Sequence, residues 1–124
     1  LRKKGGRSMY SLTSANRYSL YQGFVRMNLG IDGLFKIIRS EMKDLSPVSG
    51  DIFLFFGKNR QSVKILRWDG DGFLLYYKRL EGGSFELPTF NPNTGNYEIS
   101  YQVLSFILNG VSLKSVRLRK RFRI

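Results

Sequence analysis

Four arginines, Arg117, Arg119, Arg121 and Arg123, fall at every second position near the end of the chain. With Lys114 and Lys120 they place six positive charges and no negative one between Lys114 and Ile124. Guanidinium and ammonium groups neutralise phosphate, so such a row carries the chemistry of polyanion binding. Between the arginines lie Val116, Leu118, Lys120, Phe122 and Ile124. A period of two belongs to a β-strand, which would show one cationic row and one mostly apolar row. A solvated tail needs no such alternation, so an ordered basic C-terminal strand is expected. A smaller group of cations lies mid-chain: Lys58 and Arg60 in one turn, and Lys64, Arg67, Lys78 and Arg79 on or beside two strands. Trp68, Tyr76 and Tyr77 are their neighbours in sequence. Basic residues among aromatics bind phosphates and stack on bases, although an ordinary solvent face of a half-buried sheet carries the same types. The expected DNA contacts are therefore Lys114, Arg117, Arg119, Lys120, Arg121 and Arg123. Lys58, Arg60, Lys78 and Arg79 form a second tier. Their role would be phosphate neutralisation, not base reading.

Other chemistries find less support. The chain has no cysteine and no histidine, which excludes disulfides, Cys/His zinc sites and His-dependent nucleophilic triads within it. Asp69 and Asp71 in Asp-Gly-Asp-Gly resemble the opening of a calcium loop, but the position that should close it with Glu is Leu80. A hairpin turn is the expected role. Asp44, Asp51, Asp69, Asp71, Glu81 and Glu98 sit at turns and helix edges, with no spacing that gathers them on two metal ions. The seven tyrosines lie mostly in strand-like segments, where packing is their default use. No phosphate-cradling Gly-rich loop occurs. The expectation is a non-enzyme with no metal, cofactor or small-molecule substrate.

The net charge is +12 over 124 residues, and it is unevenly spread. Residues 1–8 carry Arg2, Lys3, Lys4 and Arg7, while residues 9–113 carry eleven cations against nine anions. A nearly neutral body with basic ends points to nucleic acid or an anionic surface. Residues 1–8 read as a basic extension, a tag or read-through ahead of Met9, and residues 9–124 as one domain with one core. No apolar run approaches the length of a bilayer span, so no membrane partner and a cytoplasmic location are expected.

The cations and aromatics must be positioned by a small set of elements. Arg17–Tyr21 reads as a strand ended by Gly23. Ile31, Leu34, Phe35, Ile38, Met42 and Leu45 lie on one face of a helix, capped by Asn28 or Asp32 and stopped by Pro47. Residues 51–56, 62–68 and 73–77 read as three strands of an antiparallel meander, joined by the turns at Gly57 and Asp69–Gly72. Residues 84–87 suggest a short fourth strand, and 98–108 a second helix ending near Gly110. The expected fold class is α+β: an antiparallel meander packed with about two helices.

Within this frame, Gly50-Asp-Ile-Phe-Leu-Phe-Phe56, Lys64-Ile-Leu-Arg-Trp68 running through Gly72-Phe73, Tyr77-Lys-Arg-Leu-Glu81 and Gly83-Ser-Phe-Glu-Leu-Pro88 resemble one family. It is the small accessory protein, TnpB or Orf-two-like, of the insertion-sequence-sixty-six transposons of bacteria, distinct from the RNA-guided nuclease of the same name. The resemblance runs from about Met9 to the C-terminus and is strongest from Gly50 to Pro88. It implies an auxiliary role in transposition beside a separate, larger transposase that performs the strand chemistry. The implied partners are DNA and the transposase or other proteins of the same element, with nucleoid association if DNA is bound. A protein–protein adaptor that docks the transposase without touching DNA is the alternative, and a metal-dependent nuclease ranks last. One departure concerns the segment before the first helix. The family usually has Asp-Met-Arg-Lys-Gly there, and this chain has Arg26-Met-Asn-Leu-Gly30.

Overall fold

The computed structural model describes residues 12–42, 44–88 and 98–109. Five strands form one open sheet in the order β4-β3-β2-β1-β5: β1 Tyr18–Phe24, β2 Ile52–Phe56, β3 Ser62–Trp68, β4 Phe73–Arg79 and β5 Glu98–Ile99. Two helices accompany them, α1 Ile31–Glu41 and α2 Tyr101–Asn109. The fold class is α+β, in a single small domain.

β2 lies at the centre, and all five of its residues are buried. Alternate side chains leave a strand on opposite faces, so β2 feeds two cores. Ile52, Leu54 and Phe56 pack with Tyr18, Leu20, Val63, Ile65, Phe85 and the α2 residues Leu104 and Ile107. Phe53 and Phe55 pack with Leu66 and with Leu34, Ile38 and Met42 from α1 and its end. A continuous apolar run suits a strand covered on both sides. By contrast, β4 alternates less deeply and is exposed from Tyr77 to Arg79, as an edge strand should be.

β2, β3 and β4 make the expected antiparallel meander, with Leu54 opposite Ile65 and Leu66 opposite Leu75. The Asp69–Gly72 hairpin closes with the Asp69 amide donating to the Gly72 carbonyl at 2.7 Å, and Gly70 takes φ +89°. β1 pairs with β2 in parallel, with Tyr18 opposite Ile52. Parallel neighbours need a crossover, and α1 supplies it. The sheet is thus mixed rather than wholly antiparallel. At the starts of the parallel pair, Arg17 and Asp51 form an ion pair of 3.2 Å, and the Ile52 amide donates to the Arg17 carbonyl at 2.9 Å.

Several expected boundaries shift. β1 continues through Gly23 to Phe24, with an irregular register between Leu20 and Phe24. A side chain at Gly23 would meet the Tyr21 ring at 2.9 Å, so the glycine serves close approach within the strand instead of ending it. α1 stops at Glu41, before Leu45 and Pro47. Met42 and Leu45 still pack on the α1-side core, so their helical spacing recorded burial beyond the helix itself. Gly30, not Asn28 or Asp32, is the N-cap, without a side-chain bond. Asp32 and Arg39 instead lie in the first and last turns, where they favour the helix dipole. Residues 84–87 form no strand. The Phe85 amide donates to the Arg60 carbonyl at 2.6 Å, and the Phe85 ring meets Phe56 edge-on at 5.4 Å, so this segment plugs the core rather than extending the sheet. Glu98 and Ile99 belong to β5 and pair with β1. α2 begins only after Ser100, whose hydroxyl accepts from the Val103 amide at 3.1 Å. The expected basic strand at residues 114–124 lies outside the described residues.

Trp68 and Phe73 face each other across the hairpin, edge to face at 5.0 Å, and Phe73 also meets Phe35 of α1 at 5.9 Å. Both are half-buried. Phe73→Ala should therefore cost about 2 kcal/mol, below the range for a fully buried ring, and should lower Tm more than Trp68→Ala. Thermal melts check the order, and equal small losses would mean that the α1 contact contributes nothing.

Tyr18 is fully buried, with its hydroxyl donating to the Thr13 carbonyl at 2.7 Å. Burial pushes its phenol up to about 12, Tyr101 adds to this, and Arg67 opposes it. The fold thus favours the neutral phenol. That stabilisation is whole below pH 10, the ordinary value, and is lost as pH rises through about 12. The tyrosinate absorbance difference between wild type and Tyr18→Phe should have its midpoint near 12. A midpoint at the ordinary value would place Tyr18 in solvent.

Candidate nucleic-acid interface

The β2–β3 turn is built from Gly57 to Gln61. Arg60 adopts φ +59° with its amide donating to the Gly57 carbonyl at 2.9 Å. The Asn59 side chain accepts from the Gln61 amide at 3.0 Å and donates to the Gln61 side chain at 3.2 Å. These bonds fix the turn while Lys58, Asn59 and Arg60 stay exposed.

The β1–α1 connector runs alongside. The Val25 amide donates to the Phe56 carbonyl at 3.0 Å, and Met27 lies 3.5 Å from where a Gly57 side chain would begin. This contact brings Arg26 next to the turn. Arg26, Met27, Lys58, Asn59, Ser62 and Tyr77 line a shallow depression of about 590 Å³. No carboxylate lines it. Strand register sets Tyr77 opposite Lys64 and Arg79 opposite Ser62, so Tyr77 and Arg79 share one face of the sheet. The Tyr77 and Ser62 hydroxyls lie 3.4 Å apart. Lys64 stands 5.6 Å from the Tyr77 ring centre, and its Nζ donates to the Leu29 carbonyl at 2.7 Å.

Lys58, Arg60 and Arg79 therefore meet at one end of the sheet. Lys78 does not join them. It faces the other side, opposite Val63, and its Nζ donates to the Leu108 carbonyl at 3.3 Å, in the last turn of α2. A cation there favours the negative end of the helix dipole. Lys78 thus has a fold-holding contact, which its place in a basic string concealed. Arg26, conversely, belongs to the patch although the sequence marked it only as a departure from a family motif. Glu81 and Glu86 follow β4 at this end, but Arg26, Lys58, Arg60 and Arg79 make no ion pair with either. Asp51, Asp69 and Asp71 lie at the opposite end, by the antiparallel register of β2 with β3. The main expected contacts, Lys114, Arg117, Arg119, Lys120, Arg121 and Arg123, lie outside the described residues.

Among the described residues no three metal-ligating side chains gather, and Asp69 and Asp71 serve the hairpin. No helix among them is long and apolar enough to cross a membrane.

A mixed sheet with a helix on each face thus carries a cationic, carboxylate-free depression at one end. Over residues 16–118 the chain matches the IS66 Orf2-like proteins, the TnpB of IS66, and it belongs to that family. It is similar to two uncharacterised proteins of Sinorhizobium fredii (strain NBRC 101917 / NGR234). With y4hO it shares 33% identity over 89 residues, covering 72% of this chain and 75% of that one. With y4jC it shares 31% over 88 residues, covering 71% and 73%. No solved structure matches the chain. The family carries an accessory role in transposition. The strings that pointed to it are the β2–β3–β4 meander and the return of Phe85, while Arg26-Met27 forms a wall of the depression.

Replacing Lys64 with Met should remove the bond to the Leu29 carbonyl and cost about 1–2 kcal/mol. Tm should fall by several degrees, and under a DNA-binding reading the affinity for duplex DNA should stay close to wild type. An unchanged Tm with weakened DNA binding would reverse the assignment and make Lys64 a contact.

Proposed function

We propose that this protein is a non-catalytic accessory of transposition that binds DNA through phosphate contacts, leaving strand chemistry to the separate transposase. One observation carries the reading: Arg26, Lys58, Arg60 and Arg79 come from three separate stretches of chain to one end of the sheet, and among the described residues none of them is paired to a carboxylate. Such cations repel one another unless an anion joins them, and a phosphodiester backbone supplies anions at regular spacing. The basic segment 114–124 extends the same chemistry with six more charges. Because phosphate contacts carry no sequence information, binding is largely sequence-independent.

A second reading is favoured by a different observation. Among the described residues β4 has no strand on its outer side, and Tyr77 is exposed on it. An open edge of seven residues can accept a strand from a protein partner. In that case the partner is the transposase, and the cations meet an acidic patch on it.

A salt titration by fluorescence anisotropy separates the two. If about four cations of the C-terminal segment meet phosphates, log K against log[salt] should have a slope of roughly −3.6. Changing Arg117, Arg119, Arg121 and Arg123 to Gln should flatten the slope and weaken binding to all duplexes alike, with circular dichroism showing an intact fold. A folded variant that binds with the wild-type slope would remove the segment from the interface and put the adaptor reading first.

A further inference from the structure

We infer that the depression beside Tyr77 takes one unpaired nucleotide of single-stranded DNA, with the base against the Tyr77 ring and the flanking phosphates on Lys58 and Arg26. The inference rests on the DNA-binding reading above and goes further, because a phosphate-binding surface alone needs no aromatic. Tyr77 is 52% exposed, the most exposed large hydrophobic side chain of the described residues. It stands in the wall of the depression instead of at a solvated loop tip. Its hydroxyl lies against Ser62 and its ring is flanked by Lys64, which is itself held by the Leu29 carbonyl. The ring is thus presented on a rigid strand with its orientation constrained from two sides, so little freedom remains to be lost when a base stacks.

The surroundings match a nucleotide in charge and in volume. Lys58 and Arg26 are exposed, have no carboxylate partner among the described residues and come from different connectors. A space of about 590 Å³ falls within the ordinary range for small-ligand sites. The arrangement of cations around an aromatic is that of single-strand binding surfaces, where stacking tolerates any base. The Asn59 amide, the group best suited to read a base edge, is already engaged on both its oxygen and its nitrogen by Gln61. Recognition is therefore by stacking and charge, with little base preference. Bases inside a duplex are stacked on each other and cannot reach the ring, so the site distinguishes unpaired from paired DNA. Unpaired nucleotides are what strand cleavage and joining expose.

The test uses the full chain in fluorescence anisotropy at one salt concentration, with oligothymidine and a duplex of equal length as probes. Tyr77→Val keeps a good strand former without the ring, and Tyr77→Phe keeps the ring without the hydroxyl. Melting curves check that both fold. Tyr77→Val should weaken binding to the single strand by about tenfold, within the range of one lost base stack, and leave duplex binding unchanged. Tyr77→Phe should bind the single strand like wild type. If wild type binds duplex and Tyr77→Val binds the single strand equally well, the stacking site is wrong and the phosphate-binding reading survives. Equal loss on both probes would also overturn it, since the ring would not discriminate. If wild type binds neither probe, the DNA-binding reading fails and this inference falls with it.

Discussion

The two-sided burial of β2 governs the rest of the structure. Five consecutive apolar residues, Ile52 to Phe56, have nowhere to point but into protein. Burying each such side chain is worth about 1.5–3 kcal/mol. The strand as a whole therefore contributes on the scale of a small domain's entire net stability. Satisfying both faces requires a cover on each, and α1 and α2 are those covers. The parallel placement of β1 follows, because α1 must cross from one strand to the next over a face of the sheet. The connector that begins this crossover is the stretch carrying Arg26. The geometry of the cationic depression is in this sense a by-product of core packing: Val25 bonds to the end of β2, and the residue after it falls beside the β2–β3 turn.

The meander was legible because each of its signals was local. β3 alternates, Asp69–Gly72 is a strong turn, and the limits of β3 fall where periodicity set them. What was not legible depended on distant partners. Nothing local to Arg17–Tyr21 tells whether it pairs parallel or antiparallel, and Gly23 looks like a terminator until the Tyr21 ring is seen against it. Glu98 and Ile99 share an apolar pattern with the helix that follows, and only β1 alongside makes them a strand. Phe85 has the composition of a strand residue and the role of a plug.

The same rule separates the candidate site residues. Lys58 and Arg60 were legible from the turn that exposes them. Lys78 and Arg79 are adjacent in sequence and look equivalent, yet a strand sends them to opposite faces. One remains at the cationic end, and the other holds the end of α2. Arg26 became visible only through the contact of its connector with Gly57. Charge along the chain located the cations, whereas strand parity decided which of them share a surface.

The attachment of α2 to the sheet also sets where the chain goes next. β5, the strand that introduces it, is two residues long, and the helix buries only Leu104 and Ile107 fully. α1 is tied at both ends, through the Lys64 bond to Leu29 and the 2.6 Å bond from the Tyr21 hydroxyl to Glu41, and α2 is tied at its end through the Lys78 bond to Leu108. The β5–α2 unit is held to the sheet through the burial of Leu104 and Ile107 beside Ile52 and Leu54. The arginine-rich ending follows α2 in sequence, so the docking of this helix fixes the point at which the chain leaves the described part of the domain.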